Sequence, residues 1–521
     1  MLLLPILLLL TATLLIWILR KRHLRIHWFL ASLGILLAWV ATFILGDQLP
    51  IELKFSIWKP ESLFSTPLLF TLDEITWPLA MTCLAILLVI SLTLPSRDIV
   101  IPAGERITTL IYLFLTFSAV LAGNILSVLT TWMLMDIFIF ALSMRASKYN
   151  VEDPLLMFWF GKNLISVFLL IIAAILNISG GGTHHFEDPM IGASVVIVSL
   201  SSLLRMPIHS ISKHGKQIGW SDVGNRTTLD IFPALSGMSV LGHVLKNGLP
   251  NDVFLWFRLI GGIYLAYYAI KYFISKKTEV SRLEFYLGVF GLGILVTSYG
   301  SISGGILIST VGVMIVSLST TMEFIKIHEG WHSFIPILFT GMLAGLPGTP
   351  GGLLSLRIAD EILNSGAIGI AILVWIGMSF LAVGYLKSTF KAPIDWRNSE
   401  NLTRISYSVG LMLLVANTIL ISIQLNHEFT FRSMIYFISV GLTTGFLYTI
   451  LNKLHFKFRG DFIERVRIPR WMSEFSPLRR VAQSFMEIFY GIGRIFESET
   501  GMLWAFVILQ LLIIALGKLN Q

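Results

Sequence analysis

The chain has 521 residues, of which 55% are hydrophobic and 13% charged, with a mean hydropathy of +0.80; an average soluble domain is roughly 25% charged. This excludes a soluble globular protein and describes a polytopic, all-α membrane protein. The formal net charge of +8 does not point to nucleic acid, because the basic residues fall in short loops between hydrophobic stretches, where membrane topology accounts for them.

The opening stretch, MLLLPILLLLTATLLIWIL, has no basic residue before it and is followed by Arg20, Lys21, Arg22 and Arg25. It reads as a first transmembrane helix with its N-terminus outside, not as a signal peptide. A span needs about 20 apolar residues. On that rule spans are predicted near 2–19, 27–46, 72–95, 107–122, 125–144, 155–177, 189–206 and 229–246. Further spans fall near 253–274, 284–300, 302–325, 333–363, 366–386, 405–424, 433–452 and 501–518, sixteen in all. The single cysteine, Cys83, lies inside the third, which leaves no disulfide framework and no thiolate metal cluster. Alternation from an outside N-terminus makes the loops after odd-numbered spans cytoplasmic. Those loops hold Arg145 with Lys148, Lys213 with Lys216, Lys276 with Lys277, Lys326, Lys387 with Lys391, and the run from Lys453 to Arg480. The opposite loops, such as SGGGTHHFEDP and KNGLPND, carry one lysine or arginine or none. A multi-pass protein of the cell membrane is expected.

Two hydrophobic segments are interrupted. Ser194 to Lys213 breaks at Pro207, just after Arg205 and before His209. About 140 residues on, Ile335 to Asp360 is broken by Pro347, Pro350 and four nearby glycines, ahead of Arg357. Proline removes a backbone donor and crowds the preceding turn, and paired broken helices in two halves point to a transporter with inverted repeats. Residues 107–246 and 253–386 are the expected repeats, preceded by N-terminal helices in 1–100 and followed by two core helices in 405–452. A basic connector and amphipathic helix are expected in 453–500, where Val481, Phe485, Ile488, Ile492 and Ile495 recur opposite Arg479, Arg480, Glu487 and Arg494. A last span occupies 501–521.

Ionisable residues inside spans are costly and mark ion paths by default. Asp136 lies near the middle of the fifth span and Lys162 about two turns inside the sixth, at comparable depth on adjacent antiparallel helices, so they are expected to pair. The bland alternative for Lys162 and Arg205 is a side chain snorkelling to the cytoplasmic face. Asp230 is expected to begin the eighth span, and His243 to lie near its outer end. His209 and His243 titrate near neutral pH, whereas an arginine keeps its proton and sets the field only. Arg357, Asp360 and Glu361 cluster in the second break. No GxxxxGK[ST], HExxH or GxSxG motif occurs, so neither a catalytic site nor a cofactor is expected. The adjacent His184 and His185 do not make a metal site.

Several segments resemble the antiporter-like membrane subunits shared by respiratory complex I, energy-converting hydrogenases and Mrp-type sodium–proton antiporters. FTLDEITWPL at Phe70–Leu79 is similar to the family's third-helix opening, and NILSVLTTW at Asn124–Trp132 to its fifth-helix approach. SSLLRMPIHS matches in part the pattern K-S-A-Q-x-P-(hydrophobic)-H, GLPGTPGGLLS resembles the broken twelfth helix, and ESETGMLWAFVILQLL is like hydrogenase-linked endings. The resemblance implies two antiporter-like five-helix repeats around about 14 core helices, and partner membrane subunits. Met133, Ser202 and Leu356 stand where the family places a glutamate and two lysines. The nearest charges are Asp136, Arg205 and Arg357. Three readings follow: a subunit that translocates protons or sodium in an NADH:quinone oxidoreductase-like or hydrogenase-like complex, a non-conducting scaffold in such a complex, or a stand-alone secondary transporter.

Overall fold

With no water to satisfy its backbone, an apolar segment in a bilayer becomes helical. The computed structural model describes residues 1–22, 24–55, 67–97, 101–146, 154–183, 185, 186, 188, 190, 192–207, 219–246, 251–274, 278–299, 306, 310, 334–346, 349, 368–389, 401–424 and 431–453. Fourteen α-helices form among these. They are α1 (Leu3–Ile18), α2 (Leu24–Leu45), α3 (Thr76–Thr93), α4 (Ala103–Val120) and α5 (Ile125–Ala146). Next come α6 (Pro154–Ser179), α7 (Gly192–Leu204), α8 (Val223–Lys246), α9 (Asn251–Ile274) and α10 (Thr278–Thr297). The series ends with α11 (Phe334–Leu343), α12 (Ile368–Thr389), α13 (Asn401–Gln424) and α14 (Phe431–Lys453). Seven of them, α2, α3, α5, α6, α8, α12 and α13, are long and apolar enough to cross a membrane.

Each helix corresponds to one predicted span, α11 to the first third of the one at 333–363. The spans predicted at 302–325 and 501–518 lie outside the described residues, apart from Ile306 and Thr310, which are helical. The connector, the amphipathic helix and the residues from 454 onward lie outside them too. The chain divides into two units, one of Met1–Ser56 with Leu68–Gly445 and one of Ile57–Pro67 with Phe446–Gln521. In the second, the described residues are Pro67 and the end of α14 from Phe446.

The centre of the first unit is built on α3 and α8. Every residue of α3 from Thr76 to Ile90 is buried, as is every residue of α8 from Thr227 to Leu245. Helices apolar on all faces belong inside. Accordingly α3 packs against α2, α4, α8 and α13, and α8 against α3, α4 and α7. Peripheral helices turn leucines and isoleucines outward, such as Leu7 and Leu14 on α1 or Leu255 and Ile263 on α9, as acyl chains require.

One feature departs from the all-α expectation. Strands β1 (Ile51–Phe55) and β2 (Leu68–Leu72) pair antiparallel, Ile51 opposite Leu72. The second strand also covers the tight join between α4 and α5: Thr71 N donates to Leu121 O at 2.7 Å and Gly123 N to Leu69 O at 2.9 Å. Asn124 then starts α5, its Oδ1 accepting from Ser127 N at 2.8 Å, the bond an N-cap makes.

The glycine-rich end of α11 explains how a helix stops inside an apolar run. Gly345 takes φ +95, a left-handed conformation that a side chain resists. Its N–H donates to Met342 O at 3.1 Å while Leu346 N donates to Gly341 O at 2.8 Å. This pair of bonds is a Schellman closure. With ten residues, α11 is about 15 Å long, half of a hydrocarbon core of about 30 Å.

Candidate functional site: a buried charge cluster

Helices α5 and α6, with the end of α7, bring three of the sequence-predicted residues together. Trp132 and Asp136 are one turn apart on α5 and share a face. Both meet Arg205, which follows the last turn of α7. Asp136 Oδ1 accepts from Arg205 Nη1 at 2.9 Å, and the guanidinium carbon lies 4.3 Å from the Trp132 ring centroid, a cation–π contact. From α6, Asn163 Nδ2 donates to the same Asp136 oxygen at 3.1 Å. One turn on, Ser166 Oγ accepts from Arg205 Nε at 3.2 Å and donates to Ser201 O at 2.9 Å. Ser201 Oγ returns a bond to Ser166 O at 2.6 Å, clasping α6 to α7. Gly237 of α8 admits the group, since a Cβ there would lie 2.8 Å from Ser202 O and 3.0 Å from Arg205 Cβ.

Two expectations are corrected. Asp136 pairs with Arg205 rather than with Lys162, because Arg205, at the end of α7, meets the carboxylate with a longer, forked side chain. Arg205 does not snorkel either: its side chain is 0% exposed, against 16% for Asp136. Lys162 is also buried, and its Nζ donates to Met206 O at 2.7 Å. That carbonyl stands at the C-terminal end of α7, the negative end of the helix dipole, where a cation is favoured. The chain leaves α7 at Leu204 and reaches Pro207; His209, Pro347, Pro350 and Arg357 lie outside the described residues.

The cluster is polar beyond its own pairings. Arg205 Nη2, Asn163 Oδ1 and Trp132 Nε1 are buried and have no hydrogen-bond partner among the described residues. Buried polar atoms usually pair with protein or with ordered water, and these three make the cluster more polar than its own pairings. Asp230, expected at the head of its helix, lies about two turns inside α8, which begins at Val223; it is buried and acts electrostatically on Lys162.

His243 belongs to a second pair, about 20 Å along α8 from Asp230 at 1.5 Å rise per residue. Its Nε2 lies 2.9 Å from Asp73 Oδ2 and its Nδ1 lies 2.9 Å from Ser239 O. Both ring nitrogens therefore face acceptors. Either the ring is doubly protonated or Asp73 carries a proton. Phe186 stacks on the imidazole at 5.8 Å. Asp73 also opens α3, its Oδ1 accepting from Ile75 N at 3.0 Å and Thr76 N at 2.8 Å.

Sequence reasoning took Asp73 only as part of a motif. Its spacing to Thr76, a helix-start signature, was the available signal for the cap. It missed Glu105 altogether, whose carboxylate receives Ser221 Oγ at 2.7 Å and Asn225 Nδ2 at 3.1 Å, tying the start of α4 to the start of α8. Both residues sit at span ends, where a carboxylate in sequence reads as ordinary.

Comparison with known proteins identifies the architecture. No family model and no curated sequence matches the chain. Solved structures do. A chain of the membrane-bound sulfane sulfur reductase, an archaeal respiratory membrane complex, superposes with a TM-score of 0.63 at 12% identity, covering 98% of this chain and 99% of that one. The chain has the antiporter-like membrane-subunit fold. A chain of the Mrp complex from Dietzia sp. DQ12-45-1b gives a TM-score of 0.67 at 13% identity, covering 99% of this chain and 63% of that one. A chain of respiratory complex I from Thermus thermophilus with bound NADH gives 0.57 at 14% identity, covering 85% of this chain and 100% of that one.

Proposed function

We propose that this chain is an antiporter-like subunit of a multi-subunit respiratory or hydrogenase-type membrane complex, and that it takes part in moving protons or sodium ions across the cell membrane. The observation that carries the reading is the pair of half-buried Asp136 with fully buried Arg205, near buried Lys162 where α7 ends in an apolar region. A displacement of both partners by one turn preserves their meeting, since residues three apart share a helix face. The three unpartnered polar atoms around the pair support a hydrated interior. Taken with the lysine and arginine distribution, the reading has the N-terminus outside. It has two inverted repeats in 107–246 and 253–386, with α7 and α11 as the first halves of broken helices. Other membrane subunits of the complex are its partners, the lipid bilayer its surroundings.

One observation favours a second reading. Arginine does not release its proton in a protein, so a pair built on Arg205 suits a non-conducting scaffold with the same fold and partners. Reconstitution in liposomes separates the two. The chain, purified with whatever accompanies it, is expected to carry protons or sodium measurably faster than protein-free vesicles. Flux indistinguishable from empty vesicles would overturn the conducting reading in favour of the scaffold.

A further inference from the structure

We propose that His243 and Asp73 form a proton-controlled joint between the end of α8 and the start of α3. The joint is closed while the pair holds one proton more than a neutral imidazole and a carboxylate carry, and open once that proton is lost. Such a joint operates in a conducting subunit and in a scaffold alike.

The geometry fixes the proton count. His243 Nε2 lies 2.9 Å from Asp73 Oδ2 and Nδ1 lies 2.9 Å from Ser239 O, so each of two nitrogen–oxygen contacts requires a hydrogen. A neutral imidazole beside an ionised aspartate supplies only one. Without the second, Nδ1 keeps its N–H for Ser239 O, a carbonyl four residues back on its own helix. A bare Nε2 then faces a carboxylate oxygen, lone pair against lone pair. The contact that fails is the one between the helices.

The two oxygens of Asp73 divide the work. Oδ1 accepts from Ile75 N, Thr76 N and Thr76 Oγ1 at 3.0, 2.8 and 3.0 Å, while Oδ2 faces the histidine. Opening therefore leaves α3 capped. On the other side, Ser239 Oγ donates to Val120 O of α4 at 2.7 Å, which holds α8 one turn before His243. The movement is confined to the residues beyond Ser239.

The pair can exchange its proton with solvent through the carboxylate, since the Asp73 side chain is 19% exposed and that of His243 only 6%. One N–H bond of the imidazolium breaks, the proton leaves to solvent, and a neutral imidazole and a carboxylate remain. Besides Asp73, α8 itself brings Lys246, exposed and three residues on, which acts on the ring by its charge. The segment that brings Phe186 also carries His185, whose backbone bridges Asn124. Against Gly242 lie the apolar side chains of Ile75 and Ile306.

Hydrogen exchange followed against pH tests the joint, on the full chain with its accompanying partners in lipid nanodiscs and with rates corrected for intrinsic exchange. In wild type, protection of residues 240–246 is expected to fall at least fivefold as pH rises through one midpoint between about 5 and 9. Asp73→Asn is expected to reverse the sign. Its amide oxygen keeps the cap and its N–H donates to a neutral imidazole, so the joint is closed at high pH. Protonation of His243 then sets donor against donor, and protection falls at least fivefold as pH drops. A role in packing or capping alone would not invert the profile. Wild-type protection constant within twofold would overturn the proposal, as would an Asp73→Asn profile that is flat or parallel to wild type. Should Asp73→Asn fail to fold, His243→Gln decides: its amide donates to Asp73 at every pH, so a flat profile is expected, and a loss of protection like that of wild type would overturn the proposal.

Discussion

Among the described residues two aspartate–base pairs are built to one plan, apart from the lysine–glutamate pair of Lys271 and Glu284 between α9 and α10. In each, an aspartate meets a base from the C-terminal part of another helix, and an aromatic ring packs on the base: Trp132 on Arg205 and Phe186 on His243. They differ in what the base can do. Arg205 is fully buried and permanently charged, so its pair is a fixed dipole locked into the α6–α7 clasp. His243 can change its protonation state, and its aspartate has a second task as the cap of α3. The same geometry serves a fixed element in one place and a titratable one in the other.

The comparison can be broken by removing one partner at a time. Arg205→Met is expected to have the largest effect, since it leaves the half-buried Asp136 without its countercharge, costing about 3 kcal/mol. Denaturation of the purified chain in detergent measures this, and a loss below about 1 kcal/mol would mean that the pair is not the fixed element described. Asp73→Ala should cost less, about 2–3 kcal/mol, from the lost helix cap and the lost bond to His243. Asp73→Asn retains the cap and should recover about half of that loss, at about 1 kcal/mol; equal losses for both variants would show that capping contributes nothing. The smallest effect is expected for Ser166→Ala, about 1 kcal/mol for the bonds to Arg205 and Ser201. A double-mutant cycle of Ser166→Ala with Arg205→Lys should show coupling of about 0.5 kcal/mol or more, and strict additivity would detach the serine from the cluster.

Much of the fold was legible in the sequence because a bilayer leaves a segment few choices. Thirteen of the sixteen predicted spans coincide with helices of the described residues, and α11 matches the first third of the span predicted at 333–363; the resemblance to antiporter-like subunits agrees with the structural comparisons. What escaped depended on partners distant in the chain. The β1–β2 hairpin has five-residue strands, too short to stand out beside long apolar runs. Asp136, Lys162 and Arg205 were readable as buried charges, but their pairing was not. Depth along two adjacent helices favoured Lys162, and only the packing of the end of α7 against α6 shows that Arg205 reaches the carboxylate first. Asp73 and Glu105 were passed over because a carboxylate at a span end looks solvated until its partner helix is known.

The most direct test of the account is ion flux through Asp136→Asn. The variant removes the negative charge while preserving shape, and Asn163 and Arg205 remain in place around it. With assembly verified by co-purification of the same partners, proton or sodium movement into liposomes is expected to fall at least tenfold relative to wild type. Flux equal to wild type would contradict the account, and would make the Asp136–Arg205 pair a brace between helices rather than part of an ion path.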